Sequence, residues 1–150
     1  MDFEKVVDDI KTYIETQFPI ALAAIEVAKP DIVLGKPDLY LLDYPDTGRQ
    51  QAVVFFIYPD EWEFSQVSNV SREMANSIHL FTTFKGTSPA LVKKILRYME
   101  ALYSTLTTDD TLGNAVEQSE ISSASWYKAI EASADTKAIE VVLRVSTLVH

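Results

Sequence analysis

The residues best able to do chemistry are few and widely spaced. Asp46-Thr47-Gly48 matches the short signature around a proteolytic aspartate, where two carboxylates from paired copies share one proton. Pro45 before it and Arg49 after it replace the apolar strand residues such a site needs, so the tripeptide reads as a hairpin turn in which Gly48 supplies a positive φ. His79 and His150 are the two histidines, and neither has a second ligand at a spacing that closes a zinc or iron site. Asp60, Glu61 and Glu63 lack the alternating positions, central glycine and terminal bidentate glutamate of a calcium loop and read as a solvated acidic stretch. The serines of 119–125 have no nucleophile elbow and no histidine partner. Glycines at 35, 48, 86 and 113 are too dispersed to cradle phosphate. The sequence therefore predicts no enzyme, no catalytic residue, no metal and no cofactor.

Four large side chains stand out in another way. Trp62 and Phe64 lie among acids in a stretch without clear periodicity, and Trp126-Tyr127 end a polar stretch. Packing against the chain's own core is the ordinary role for such residues. Anchoring a partner is the alternative, because Trp and Tyr are enriched among residues that dominate binding energy. These four are the candidate interface residues.

Composition narrows the classes. With 47% hydrophobic and 23% charged residues, the 150-residue chain has globular proportions and is long enough for one full core, so a single domain over 1–150 is expected. No stretch approaches the roughly 18 apolar residues of a membrane span, and Met1-Asp2-Phe3-Glu4-Lys5 lacks a signal peptide's regions. Absence of cysteine agrees with a reducing compartment, so a cytoplasmic location is expected. A net charge of −9 repels phosphate backbones and argues against tight nucleic-acid binding. The densest basic cluster, Lys93-Lys94 with Arg97, reads as a solvated helix face.

The elements that must position these residues follow from periodicity. Phe3, Val6, Val7, Ile10, Tyr13 and Ile14 recur at helical spacing after a capping Asp2, which predicts a helix to about Gln17 and then a second helical piece, Ile20 to Val27, with Pro19 tolerated at its first turn. Residues 38–44 and 52–58 read as a β-hairpin about the 45–48 turn. Val53 to Ile57 is apolar on both faces, as in a central strand covered by helix on one side and by further protein on the other. Residues 60–72 read as a long loop or a projecting hairpin, and 73–84 as a long half-buried strand. Ser88-Pro89 opens a helix carrying Leu91, Ile95, Tyr98, Met99, Leu102 and Leu106. A loop through Leu112-Gly113-Asn114, a polar strand over about 115–121, a turn at 135–137 and an alternating last strand complete the chain. The order predicts an α+β fold: a mostly antiparallel sheet with two or three helices on one face.

The C-terminal half also has a recognisable sequence of parts. Ile78-His79-Leu80-Phe81 is followed by a turn and a helix ending Arg97-Tyr98-Met99-Glu100-Ala101-Leu102, then by Thr111-Leu112-Gly113-Asn114-Ala115-Val116, a polar strand reaching Trp126-Tyr127, and a strand over 138–149. Over residues 38–150 this resembles the tail-terminator and tail-completion (neck) proteins of long-tailed phages and prophages, with Thr111 to Asn114 the most specific piece. The resemblance implies a structural protein of the virion tail or neck, assembled in the host cytoplasm as a ring, commonly a hexamer. Such a ring caps the tail tube and docks the head-completion proteins. DNA passes through it without specific binding, which an acidic wall would assist. Outside that resemblance, a bacterial adaptor domain with one aromatic patch, or a small enzyme with a dispersed site, are the alternatives.

Overall fold

The computed structural model describes residues 2–46, 51–86, 89–127 and 136–149, with the backbone alone at 127 and 149. The helix α1 (Phe3–Ala28) starts where expected, with the Asp2 carboxylate accepting from the Lys5 N–H at 3.0 Å. It does not break at Pro19. The buried stripe Val7, Ile10, Ile14, Phe18 and Leu22 continues across the proline, and burial on both sides outweighs one missing N–H. The second helix α2 (Ala90–Thr108) buries Leu91, Ile95, Tyr98, Leu102 and Leu106, with Met99 half-buried. Ser88, its expected cap, lies outside the described residues, as do Thr47-Gly48, residues 128–135 and His150.

Five strands form one sheet in the order β1-β2-β3-β5-β4: β1 (Leu39–Leu42), β2 (Val53–Gln66), β3 (Arg72–Lys85), β4 (Gln118–Tyr127) and β5 (Thr136–Val149). The fold is α+β, with both helices packed on the same face through one core. Three of the four strand pairs are antiparallel. The exception corrects the expected hairpin: β1 runs parallel to β2, with Leu39 beside Val54 and Leu42 beside Ile57. Asp38 fixes that arrangement, because its N–H donates to the Val53 carbonyl while its carboxylate accepts from the Val53 N–H, both at 2.9 Å. The two strand starts are thereby held side by side. Strand composition and a turn motif do not tell a chain that reverses from one that returns to start again alongside.

Four other expectations are settled or changed. The stretch 60–72 is the projecting hairpin of the two possibilities, since β2 and β3 stay paired as far as Gln66 and Arg72. β3 is buried on both faces, not half-buried, because it is the middle strand of five. The second face of β2 is closed by this chain itself: Val54 and Phe56 are fully buried with Phe81 and Ala138, packed by Leu39, Leu41 and Tyr58. The polar strand begins at Gln118, later than expected, because residues 110–115 form a turn.

That turn is tightly built. Leu112, Gly113 and Asn114 all have φ between 50° and 69°, which only glycine adopts freely. Leu112 is held there by burial in the core, and a side chain on Gly113 would meet the Tyr13 ring at 3.2 Å. Asp109 clamps the turn from below. Its carboxylate accepts from the Thr111 N–H, the Thr111 hydroxyl and the Gly113 N–H at 2.7–3.0 Å, and these bonds hold its pKa below the ordinary value of 3.8.

Both the proline and the clamp can be tested by stability measurements. Pro19→Ala restores the missing N–H and raises stability by about 1–3 kcal/mol in urea denaturation. Because the folded Asp109 pKa lies below its unfolded value, its contribution is full above the unfolded value and disappears as pH falls through the lower folded one. The acid limb of a stability–pH profile is therefore shallower in Asp109→Asn than in wild type; identical limbs would remove the clamp.

Candidate partner-binding surface

The projecting hairpin owes its face assignment to an irregularity. Up to Tyr58, even-numbered residues of β2 point away from the helices, and Tyr58 lies opposite His79. The register shifts between Pro59 and Trp62, where Asp60 and Glu61 of β2 face the single residue Ser77 of β3, and this one extra residue reverses the alternation. Trp62 falls opposite Asn76 and Phe64 opposite Met74, on the helix side. There both rings meet Phe3, the first residue of α1, with centroids 6.4 Å and 6.5 Å away. All three remain close to half-exposed, Phe3 at 45%, Trp62 at 42% and Phe64 at 55%. Each ring therefore keeps a free face of the kind that anchors partners.

A mainly apolar cleft of about 400 Å³ adjoins this cluster, bounded by Phe3, Val7, Leu42, Tyr44, Tyr58 and Trp62. On the opposite side of the sheet, the hairpin's root is braced by polar contacts. The His79 ring stacks on Tyr58 at 4.8 Å and 10°, with Nε2 3.2 Å from Asp60 and Nδ1 3.3 Å from Glu140. The Tyr58 hydroxyl donates to the same Glu140 oxygen at 3.1 Å, and Arg144 reaches Glu63 at 2.9 Å. Two of the three acids expected to be merely solvated thus tie β2 to β3 and β5. His79 is a half-buried bracing group.

The remaining chemical candidates take structural partners. Ser119 donates to the Asp110 carbonyl at 2.9 Å. Arg97 lies 2.8 Å from Asp31 and holds that carboxyl below its usual range, and Lys29 pairs with Glu100 at 3.0 Å, so the basic helix face is partly committed to the chain itself. Among the described residues, no group of three or more His, Asp or Glu is arranged to hold a metal ion, and no helix is long and apolar enough to cross a membrane.

Trp126 does not join Trp62 and Phe64. It lies opposite Ile139 on the border strand β4, three strands from β2 and six residues down the sheet, about 25 Å away at ordinary strand spacings. Tyr127 follows it on β4, described by its backbone alone. Phe3 was not a sequence-level candidate because it counted only as part of an amphipathic stripe. The Tyr58, Asp60, His79 and Glu140 group was not visible either, since three strands and their register bring it together.

No protein-family model matches the chain, and no curated protein matches it. Among solved structures, a chain from the virion of a native gene transfer agent particle aligns with a TM-score of 0.47 and 9% identity, covering 91% of this chain and 90% of that one. A likeness at that level carries no argument about function.

The aromatic cluster has a direct optical test. In a Trp126→Phe background, Trp62 is the sole indole, and Phe3→Ala red-shifts its fluorescence maximum by removing one covering ring. An unchanged maximum would mean that the Phe3 contact is absent in solution.

Proposed function

We propose that the chain is a structural subunit of a phage-type tail, a tail-terminator-like or head–tail joining protein that works through its surfaces and performs no covalent chemistry. The observation that carries this reading is the hairpin of β2 and β3, braced at its root by His79 and Arg144, which holds Phe3, Trp62 and Phe64 half-exposed at one end of the sheet. A rigid projection ending in free aromatic faces suits docking to a second protein surface. The order β3, α2, the left-handed turn at 112–114, β4 and β5 further supports it, because the resemblance to tail-terminator proteins rests on that order.

On this reading the chain acts as one domain and assembles into a ring, commonly of six copies, at the end of the tail tube. There it halts tube growth and presents its aromatic end to the head-completion proteins. The net charge of −9 lets DNA pass without being held. Assembly takes place in the host cytoplasm and the product resides in the virion tail or neck. The apolar cleft beside Trp62 favours one rival, a monomeric adaptor domain that takes up an apolar peptide.

Replacing Trp62 and Phe64 by Ser removes the free aromatic faces while leaving the core cluster intact. Complementation with this double variant yields free heads and tails and at least tenfold fewer joined particles, counted by electron microscopy. Joined particles at the wild-type level would exclude the hairpin from the docking contact.

A further inference from the structure

The sheet has two borders, β1 and β4, and each has one side with no strand beside it among the described residues. Such borders template pairing with other chains unless charges, proline or bulges blunt them. The upper part of β2, beyond the end of β1, is blunted in all three ways by Pro59, the register shift and Asp60, Glu61 and Glu63. β1 and the last part of β4 are not. β1 is Leu39-Tyr40-Leu41-Leu42, and the last part of β4 is Ser123-Ala124-Ser125-Trp126, exposed throughout. Neither segment contains a charge or a proline. The irregularity of β4 lies before this segment, between Ile121 and Ser123.

The register across the sheet puts these two unprotected segments on the same level. Tyr40 pairs with Phe55, Phe55 with Thr82, Thr82 with Ile139 and Ile139 with Trp126, one unbroken line from border to border. By the same steps Leu42 is level with Ala124 and Leu41 with Ser125. Strand directions are also compatible: β1 runs with β2, β2 and β5 run against β3, and β4 runs against β5, so β1 and β4 point in opposite directions.

We infer that β1 of one copy pairs antiparallel with β4 of the next, Leu39 to Leu42 lying against Ala124 to Tyr127, so that the sheet continues from subunit to subunit. This rests on the proposed ring and supplies its contact. The two surfaces differ, so the contact is head-to-tail, the kind that closes into rings. Equal level means the pair forms with no shift along the strands. Side chains suit it as well. On the helix side, Leu42 at 42% exposure faces the small Ala124, and Tyr40 faces Trp126 at 38% exposure.

The chain has no cysteine, which makes cross-linking clean. In Leu42→Cys/Ala124→Cys, mild oxidation gives a ladder of covalent multimers on non-reducing gels that stops at the ring size seen by electron microscopy. Each single variant gives no ladder. Trp126→Lys, on an exposed position, keeps the wild-type circular dichroism and sediments as monomer. Rings that form without a ladder overturn the border pairing and leave the tail-terminator reading standing. A lone cross-linked dimer overturns the head-to-tail contact. Monomer under all conditions with no ladder overturns both.

Discussion

Tyr98 lies where every layer of this protein meets. Its ring packs edge-on against Phe18 of α1 at 5.5 Å and Phe84 of β3 at 5.1 Å, and its hydroxyl donates to the carbonyls of Leu34 and Gly35 in the segment leaving α1. Phe18 in turn packs on Phe55 of β2 at 5.6 Å. A fully buried tyrosine needs a partner for its oxygen, and that need fixes where the chain passes after α1. Both helices and two central strands are thereby held in one relation, which leaves the borders and the projecting hairpin free to vary.

On that fixed frame, the features that bear on function come from small departures from regular pairing. One irregular step in β2 turns Trp62 and Phe64 toward Phe3 and leaves Asp60 to reach His79 on the opposite side. Without it, the aromatic rings would lie on the face that carries Tyr58 and His79. Likewise the early end of β1 leaves the upper part of β2 as an open edge, and the charges and proline concentrate there. The acidity of the hairpin thus has a local role in keeping that edge unpaired, apart from any effect of net charge on nucleic acid.

The sequence was informative wherever the physics is local. Helical spacing located α1 and α2, Asp2 was legible as a cap, alternation located β5, and the apolar run over 53–57 marked an interior strand. Each of these depends on side chains within one or two turns of one another. The single helix through Pro19 was not legible, because the cost of a proline is local whereas the burial that offsets it comes from the sheet. The candidate residues divide in the same way. Trp62 and Phe64 stood out by type, but Phe3 did not, and nothing local placed Trp126 about 25 Å from them.

By itself, then, the sequence determined the element types, most of the core, the α+β class and the absence of any familiar catalytic or metal-binding motif, because hydrophobic period and turn chemistry act between near neighbours. Tertiary structure alone decided that β1 runs parallel to β2, that α2 carries the chain past β5 so that β4 becomes a border, and which residues share a face beyond the irregular step. Those outcomes depend on register between strands distant in the chain. Register follows from how all the buried faces fit at once, and no single segment encodes it.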